Sequence, residues 1–276
     1  MADYANDDLT RAEKGGFGKL CGQRYVDIHC HCLPAVDDGP ATETDALALC
    51  NALLDDGIET VIATPHQLGR FSDCNEPARI RERVSILNGH LRNADIPLTI
   101  LPGADVRVDE RICDLLAADK ILTLADGRKY ILLELPSEIF IDIEPLLVQL
   151  GCLGIRAIIS HPERHPAIAK QLRVLQNWFN HSTLLQVTSG SLLGKFGMQA
   201  EETAWQFLAA GWVSLVATDS HDLVGRRPCM RDAFRRISSK LGQNLACEVC
   251  IENPSRVLKG QDVRPVHFAA AMEYAR

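Results

Sequence analysis

Histidine and carboxylate residues recur in this chain directly after short apolar segments, in a pattern that can bind metal ions. The segment 26–31 carries His29 and His31 two residues apart. Because alternate side chains of a β-strand share a face, both imidazoles are predicted to point the same way. Asp219 and His221 repeat this spacing near the other end of the chain. The two pairs are therefore predicted to converge on one metal centre.

Other candidate ligands also follow segments that are predicted to be strands; these are His66, Asp105, Glu134 and His161. A ligand set of imidazoles and carboxylates that requires no thiolate favours Mn²⁺, Fe²⁺ or Zn²⁺ over Ca²⁺. Because so many ligands exceed one coordination sphere, we expect two or three ions. Clustered divalent ions activate water near neutral pH and hold both the attacking and the leaving oxygen of a phosphoryl group. The predicted reaction is hydrolysis of a phosphate ester.

Two arginines lie close to these ligands along the chain. Arg164 follows His161 by three residues, and Arg226 ends the loop that begins at His221. A guanidinium group matches phosphate oxygens in two-point geometry, so both arginines are predicted to bind the phosphoryl group. The remaining histidines are predicted to be structural; they are His90, His165, His181 and His267.

Apolar segments that alternate with helical patterns are predicted to position these side chains. The predicted strands cover residues 24–28, 60–63, 98–101, 130–133, 156–159, 184–187 and 213–217. Short buried strands separated by helices predict a parallel sheet, and the chain length suits a closed α/β barrel. Such barrels assemble their sites at the carboxyl ends of the strands. We expect one domain over 24–260, a flexible tail over 1–23 and a C-terminal tail over 261–276.

Charge and composition exclude several other classes of protein. The net charge of −7 argues against a nucleic-acid backbone as the main partner. No apolar run reaches about 18 residues, so no membrane span is predicted. The ten cysteines are scattered through a chain without a secretory signal, which predicts free thiols and a cytoplasmic location.

A cysteine-dependent phosphatase is the first alternative, because Cys229 with Arg235 and Cys250 with Arg256 both fit a Cys-x5-Arg spacing. That chemistry needs a glycine-rich loop whose backbone amides hold the phosphate. Neither intervening segment contains glycine, and each contains an acidic residue. We therefore reject this alternative.

Taken together, the motifs resemble those of the polymerase-and-histidinol-phosphatase (PHP) superfamily. Within that superfamily the chain is similar to the bacterial manganese-dependent tyrosine-protein phosphatases of capsule and exopolysaccharide loci. The similarity covers about 24–260, and its motifs are Asp27-Ile28-His29-Cys30-His31, Asp37-Asp38-Gly39-Pro40, Thr64-Pro65-His66, Leu133-Glu134, Ser160-His161-Pro162-Glu163-Arg164, Ala217-Thr218-Asp219-Ser220-His221 and Gly225-Arg226.

The resemblance implies a distorted (β/α)7 TIM-like barrel of the PHP fold that holds two or three metal ions, typically Mn²⁺. It implies a phosphotyrosine protein substrate, usually the tail of a bacterial tyrosine kinase that controls polysaccharide export. Arg164 and Arg226 match the phosphate-contacting arginines of the family. By position, the metal ligands would be His29, His31, Asp38, His66, Asp105, Glu134, His161, Asp219 and His221.

One position departs from the family pattern, because the family has glutamate where this chain has Asp105. Aspartate is one methylene shorter, so a carboxylate that bridges two metals would need a backbone shift to reach both. Two alternatives stay open on the same barrel: a small-molecule phosphomonoesterase, such as one acting on histidinol phosphate, and a catalytically weakened binding module.

Overall fold

Parallel strands alternate with helices along the chain, as the apolar pattern predicted. A computed structural model describes residues 24–71, 74–136, 139–170 and 172–264. The described strands are β1 (Tyr25–Cys30), β2 (Ile58–Ala63), β3 (His66–Gln67), β4 (Thr99–Pro102), β5 (Asp105–Arg107), β6 (Tyr130–Glu134), β7 (Arg156–Ser160), β8 (Leu184–Thr188) and β9 (Val213–Ala217). The predicted tail over 1–23 and residues 265–276 of the other predicted tail lie outside this part.

Helices follow most strands and pack on the outside of the sheet. They are α1 (Glu43–Asp55), α2 (Pro77–Asn93), α3 (Ile112–Ala117), α4 (Glu144–Cys152), α5 (Pro166–Lys170), α6 (Leu172–Phe179), α7 (Ser189–Leu192), α8 (Met198–Ala209), α9 (Met230–Leu241), α10 (Gln243–Cys247) and α11 (Asn253–Leu258). Within the described residues, no helix has both the length and the apolar character needed to cross a bilayer. The nine cysteines of that part are all free thiols.

The strands form a distorted parallel barrel, which confirms the predicted fold class. One sheet has the order β1-β2-β4, and the other has the order β3-β5-β6-β7-β8-β9. The two sheets join at the carboxyl ends of β1 and β9, where Cys30 and Ser220 form a parallel bridge. There His31 N–H donates to the Ser220 carbonyl at 2.9 Å, and Asp219 N–H donates to the His29 carbonyl at 2.8 Å. The ends of the first and last long strands are therefore fixed side by side.

The prediction of seven strands was incomplete, because the described residues contain two additional short strands. β3 and β5 follow β2 and β4 after bends at Pro65 and Gly103, and they pair with each other. Proline cannot donate to a sheet ladder, so β2 ends before Pro65. A Cβ atom on Gly103 would lie 2.6 Å from the Ile62 side chain, so only glycine allows this close approach. The bends bring His66 and Asp105 opposite each other in the new register.

Two apolar cores hold this arrangement together. The outer core lies between the strands and the helices, and its largest fully buried side chains include Trp178 and Phe207. The inner core fills the barrel with side chains from several strands, among them Ile28, Ile62 and Leu215. Because β-strands alternate their faces, burial on both sides explains why these segments are almost continuously apolar.

Residues 261–264 of the predicted C-terminal tail pack against the barrel. The Tyr130 hydroxyl donates to the Gln261 carbonyl at 2.7 Å, and Val263 N–H donates to the same hydroxyl at 3.1 Å. Val263 is buried in the inner core. This short segment is therefore part of the folded domain.

A long-range capping contact leads to a prediction about stability. Helix α9 begins without a side-chain cap from its own N-cap residue, Cys229. The Asp56 carboxylate, at the end of α1, instead accepts the N–H groups of Met230 and Arg231, the latter at 3.2 Å. We expect Asp56→Ala to lower the free energy of unfolding by about 1–2 kcal/mol, because two helix N–H groups lose their acceptor. Urea denaturation followed by circular dichroism measures this.

Asp56→Asn is the matched variant, because it keeps an acceptor oxygen and should lose clearly less stability than Asp56→Ala. Equal losses in the two variants would contradict a capping role for the oxygen atoms of Asp56.

Candidate metal centre

All nine residues predicted as metal ligands lie together at the carboxyl ends of the strands. We call these nine residues the ligand cluster. Their ligand atoms form four overlapping groups, within each of which all atoms lie within 4.8 Å of one another. The groups are His31, Asp38, His66 and His221; His29, Asp105 and His161; His29, His31 and Asp219; and His66, Asp105 and Glu134. The other described histidines, His90, His165 and His181, belong to none of these groups.

The two i, i+2 pairs meet at the centre of the ligand cluster, as predicted. The Nε2 atoms of His29 and His31 lie 3.2 Å apart. Asp219 Oδ1 lies 3.2 Å from the first of these atoms and 3.5 Å from the second. The imidazole of His221 stacks on that of His31 with 3.8 Å between ring centroids. The closure of the barrel between β1 and β9 thus determines the geometry of this half of the site.

Asp105 occupies a position between two groups despite its short side chain. Its Oδ2 atom lies 3.6 Å from His29 Nε2 and 3.7 Å from His66 Nδ1. Glu134 Oε2 lies 3.8 Å from the same His66 nitrogen. Because β5 starts at Asp105 and pairs in register with His66, the backbone itself carries this carboxylate to the middle of the cluster. The shorter side chain does not remove Asp105 from the ligand cluster.

An acidic turn after β1 supplies Asp38 and a residue that the sequence analysis did not assign. Asp38 Oδ1 lies 3.5 Å from His66 Nε2 and 3.4 Å from His221 Nε2. Oδ2 of the neighbouring Asp37 lies 2.7 Å from His31 Nδ1, and the same oxygen accepts a hydrogen bond from His66 N–H. A Cβ atom on Gly39 would collide with the His31 carbonyl oxygen, so glycine lets the turn fold tightly against β1. The paired aspartates were visible in the sequence, but their different roles were not.

Hydrogen bonds at the outer nitrogens orient several imidazoles. His29 Nδ1–H donates to Gln186 Oε1 at 2.8 Å, and His31 Nδ1–H donates to Asp37. His221 Nδ1–H donates to the Asp219 carbonyl at 3.0 Å. In the neutral form of each ring, Nε2 is then left as the acceptor that faces the cluster, which is the usual arrangement of metal-binding histidines. Gln186, a buried amide in the apolar strand β8, was also missed by the sequence analysis.

The electrostatics of the cluster favour a bound cation. Burial, together with the charge of His221, lowers the pKa of His31 to about 3. Burial and the charge of Arg164 lower the pKa of His161 well below its usual value. Both imidazoles are therefore neutral near pH 7, the form that binds metal. Burial also lowers the pKa of His29, but the charges of Asp219 and Asp105 outweigh this effect and raise it to about 9. The two carboxylates thus attract a positive charge to His29, and a metal ion would replace the proton there.

Several buried atoms of the cluster lack any hydrogen-bond partner within the described residues. These atoms are both carboxylate oxygens of Asp105, Asp219 Oδ1 and His221 Nε2. A buried carboxylate without a partner is costly, and burial raises the pKa of Asp105 to about 6. A divalent cation would satisfy these atoms, and the mixture of imidazole and carboxylate donors suits such an ion. The residues present therefore fit a metal centre with more than one ion.

Arg164 and Arg226, the predicted phosphate-binding residues, both reach the edge of this cluster. Each donates through Nη2 to Asp219 Oδ2. Arg164 also donates to Thr188 Oγ1, and its guanidinium carbon lies 4.0 Å above the Phe196 ring centroid. Both arginines line an open cavity of about 260 Å³ whose walls include His66, Glu134 and His161. We call this space the site cavity.

Neither thiol of the rejected cysteine-phosphatase alternative belongs to this site. Cys229 is buried beside the Ser189 hydroxyl at 3.2 Å, and burial raises its pKa. Cys250 is fully buried, and burial raises its pKa strongly. The arginines at the required spacing form ion pairs with Asp232 and Glu252 instead. The structure therefore agrees with the rejection.

Comparison with known proteins identifies the family. The family described as "Capsular polysaccharide synthesis, CpsB/CapC" matches residues 25–259. The tyrosine-protein phosphatase YwqE of Bacillus subtilis is 35% identical over 239 residues, which is 86% of this chain and 93% of that protein.

Solved structures agree with this relationship. One structure, from a study of YwqE of Bacillus subtilis and CpsB of Streptococcus pneumoniae as unique metal-dependent tyrosine phosphatases, superposes with a TM-score of 0.83. It is 34% identical, and the match covers 88% of this chain and 98% of that one. An organophosphorus hydrolase variant from Deinococcus radiodurans is only 15% identical, over 85% of this chain and 92% of that one. Its TM-score of 0.51 therefore shows a shared fold alone. The predicted family resemblance is confirmed: this chain belongs to the CpsB/CapC family of capsular polysaccharide synthesis proteins.

Proposed function

We propose that this protein is a metal-dependent phosphatase that hydrolyses phosphotyrosine in proteins. The observation that carries the proposal is the combination of four overlapping metal-binding groups with two arginines at the wall of one open cavity. The similarity to YwqE, named a tyrosine-protein phosphatase, supports the choice of phosphotyrosine. As the physiological substrate we propose a cytoplasmic segment of a bacterial tyrosine kinase that controls capsule or exopolysaccharide synthesis.

The residues of the ligand cluster would hold two or three Mn²⁺ ions, and Fe²⁺ or Zn²⁺ suits the same donors. When bound, such ions supply Lewis acidity and a nucleophile at neutral pH. Asp105, between two of the groups, is the proposed shared ligand, and Asp37 and Gln186 hold the imidazoles of His31 and His29 in their orientation. This orientation is set by the protein before substrate arrives.

Arg164 and Arg226 are the proposed contacts to the phosphoryl oxygens. Asp219 fixes both guanidinium groups before substrate binds, and the Phe196 ring also holds that of Arg164. Little reorganisation is therefore needed as negative charge develops. The leaving tyrosine oxygen has a pKa of about 10, so departure needs no strong acid from the protein.

Hydrolysis of a phosphotyrosine peptide by purified protein tests the proposal. We expect activity with Mn²⁺, loss of that activity with excess chelator, and unchanged activity in Cys229→Ser and Cys250→Ser. Activity that resists chelator but disappears in either cysteine variant would refute a metal-dependent reaction. A higher kcat/KM on histidinol phosphate than on the peptide would favour the small-molecule alternative, and metal content near zero would favour the binding module.

Asp37 provides a separate prediction about the metal centre. Asp37→Asn should weaken metal binding by about 10- to 100-fold, because a neutral amide orients His31 less well and no longer raises its basicity. Competition with a metal-sensitive dye measures the change directly. Asp142→Asn is a suitable control, because this exposed aspartate likewise accepts a backbone N–H but lies outside the ligand cluster. Equal affinities in the two variants would contradict the orienting role of Asp37.

A further inference from the structure

A second cavity opens directly beside the site cavity. It has a volume of about 280 Å³, and we call it the side cavity. The two cavities share a wall that is formed by His66, Arg70 and Glu134. A ligand in one cavity is therefore adjacent to the other cavity. The side cavity adds Phe71 and Arg107 to its walls. None of the roles derived above for metal binding or phosphoryl contact uses Arg70, Phe71 or Arg107.

Arginine gives the side cavity its charge. Arg70 Nη2 lies 3.1 Å from Asp38 Oδ2, and the side chain remains 69% exposed. Arg107 Nη1 lies 3.1 Å from Glu134 Oε2 and 3.3 Å from the Leu135 carbonyl. A guanidinium group has five N–H donors, so the ion pair of Arg70 leaves donors that face solvent. Two arginines and the carboxylate of Glu134 thus line this small cavity, so its wall is positive on balance in a chain whose net charge is −7.

An aromatic ring holds one of these cations in place. The Phe71 ring stacks on His66 with 5.4 Å between centroids and an angle of 11°. The guanidinium carbon of Arg70 lies 4.7 Å from the centroid of the same ring. A cation fixed against a ring and an ion pair loses little conformational freedom when it binds an anion. The wall next to it, formed by Leu68 and Phe71, is apolar and suits methylene groups.

We propose that the side cavity binds the carboxylate side chain of an acidic residue next to the phosphotyrosine of the substrate. This inference rests on the proposed function and adds a sequence preference to it. Neighbouring residues of a peptide are about 3.8 Å apart, so a phosphotyrosine in the site cavity places an adjacent side chain within reach of the shared wall. The apolar wall accepts the methylene groups, Arg70 offers forked donors to the carboxylate, and the charge of Arg107 adds to the attraction.

Matched peptides test this inference. Phosphotyrosine peptides with glutamate or glutamine at each of the two positions on either side are compared by kcat/KM. We expect a five- to tenfold preference for glutamate at one position or more, which decreases as salt is added. In Arg70→Gln the preference should fall to less than twofold. Arg79→Gln is the matched control, because Arg79 is exposed and donates to the Cys74 carbonyl but does not line the cavity.

The outcomes separate the inference from the function on which it rests. Equal kcat/KM values for glutamate and glutamine peptides in the unmodified protein would overturn the inference, as would a preference that survives in Arg70→Gln. A preference for a second phosphotyrosine over glutamate would overturn the carboxylate assignment. Hydrolysis of p-nitrophenyl phosphate reports the metal centre and the phosphoryl-binding arginines, because this substrate has no neighbouring residue to enter the side cavity. Should no phosphate ester be hydrolysed, the proposed function fails, and anisotropy of the labelled peptides still measures the preference as a ratio of dissociation constants.

Discussion

Asp219→Asn is expected to lower kcat/KM for a phosphotyrosine peptide by about 1,000-fold or more. Asp219 Oδ1 faces the Nε2 atoms of His29 and His31, and Oδ2 accepts from Arg164 and Arg226. The same carboxylate is therefore part of a metal-binding group and accepts the hydrogen bonds that hold both arginines. Although burial alone would raise its pKa, the charge of Arg164 keeps the pKa of Asp219 well below the usual value.

The amide of the variant removes the negative charge and replaces an acceptor oxygen with a donor. Two guanidinium groups would then lose their common anion, and one metal-binding group would lose its only carboxylate. Steady-state kinetics should be combined with metal analysis by mass spectrometry, since both readouts are expected to decrease. Thermal unfolding then shows whether the variant remains folded.

Asp232→Asn is the matched control for this substitution. Asp232 lies on the exposed face of α9 and pairs with Arg235 at 3.6 Å, so its loss should change kcat/KM by less than twofold. An Asp219→Asn protein that keeps its metal content and more than a tenth of its activity would contradict the central role of this carboxylate.

Local sequence patterns were sufficient to predict a parallel α/β fold and eight members of the ligand cluster, whereas Asp38 was added only by the resemblance to the family. Short strands of a parallel sheet are buried on both faces, so they are almost continuously apolar. The first polar residues after such a segment therefore mark the end of the strand, where the ligand cluster lies. His161 after β7 and Glu134 at the end of β6 are examples in which strand end and ligand were adjacent in the chain. Such information is local, so a single sequence contains it.

Contacts between distant segments could not be predicted in the same way. Gln186 bonds to His29 across 157 residues, and its amide is one of many polar side chains until that contact is known. The carboxylate of Asp27 accepts from Thr218, across 191 residues, and thereby ties the end of β1 to the end of β9. The short strands β3 and β5 likewise depend on the bends at Pro65 and Gly103, which bring His66 opposite Asp105. These features arise only when the barrel closes.

Arg164→Lys is the second substitution with a large expected effect, a loss of about 100-fold in kcat/KM. Lysine keeps the positive charge, but it cannot place two N–H groups on neighbouring phosphoryl oxygens. It also loses the planar group that stacks on Phe196 at 4.0 Å and donates to Thr188. We expect a higher KM and a lower kcat, with unchanged metal content because Arg164 is not a ligand.

Two further variants separate the stacking contact from the charge. Phe196→Leu retains Arg164 but removes the ring beneath it, so we expect a smaller loss of about five- to tenfold. Arg156→Lys is the control, since Arg156 lies over the Tyr130 ring at 5.9 Å, at the start of β7 and away from the site cavity. Its activity should match that of the unmodified protein. Inorganic phosphate should inhibit Arg164→Lys and Phe196→Leu more weakly than the unmodified protein, and should inhibit Arg156→Lys equally well. An unchanged inhibition constant in Arg164→Lys would show that this guanidinium does not bind the phosphoryl group.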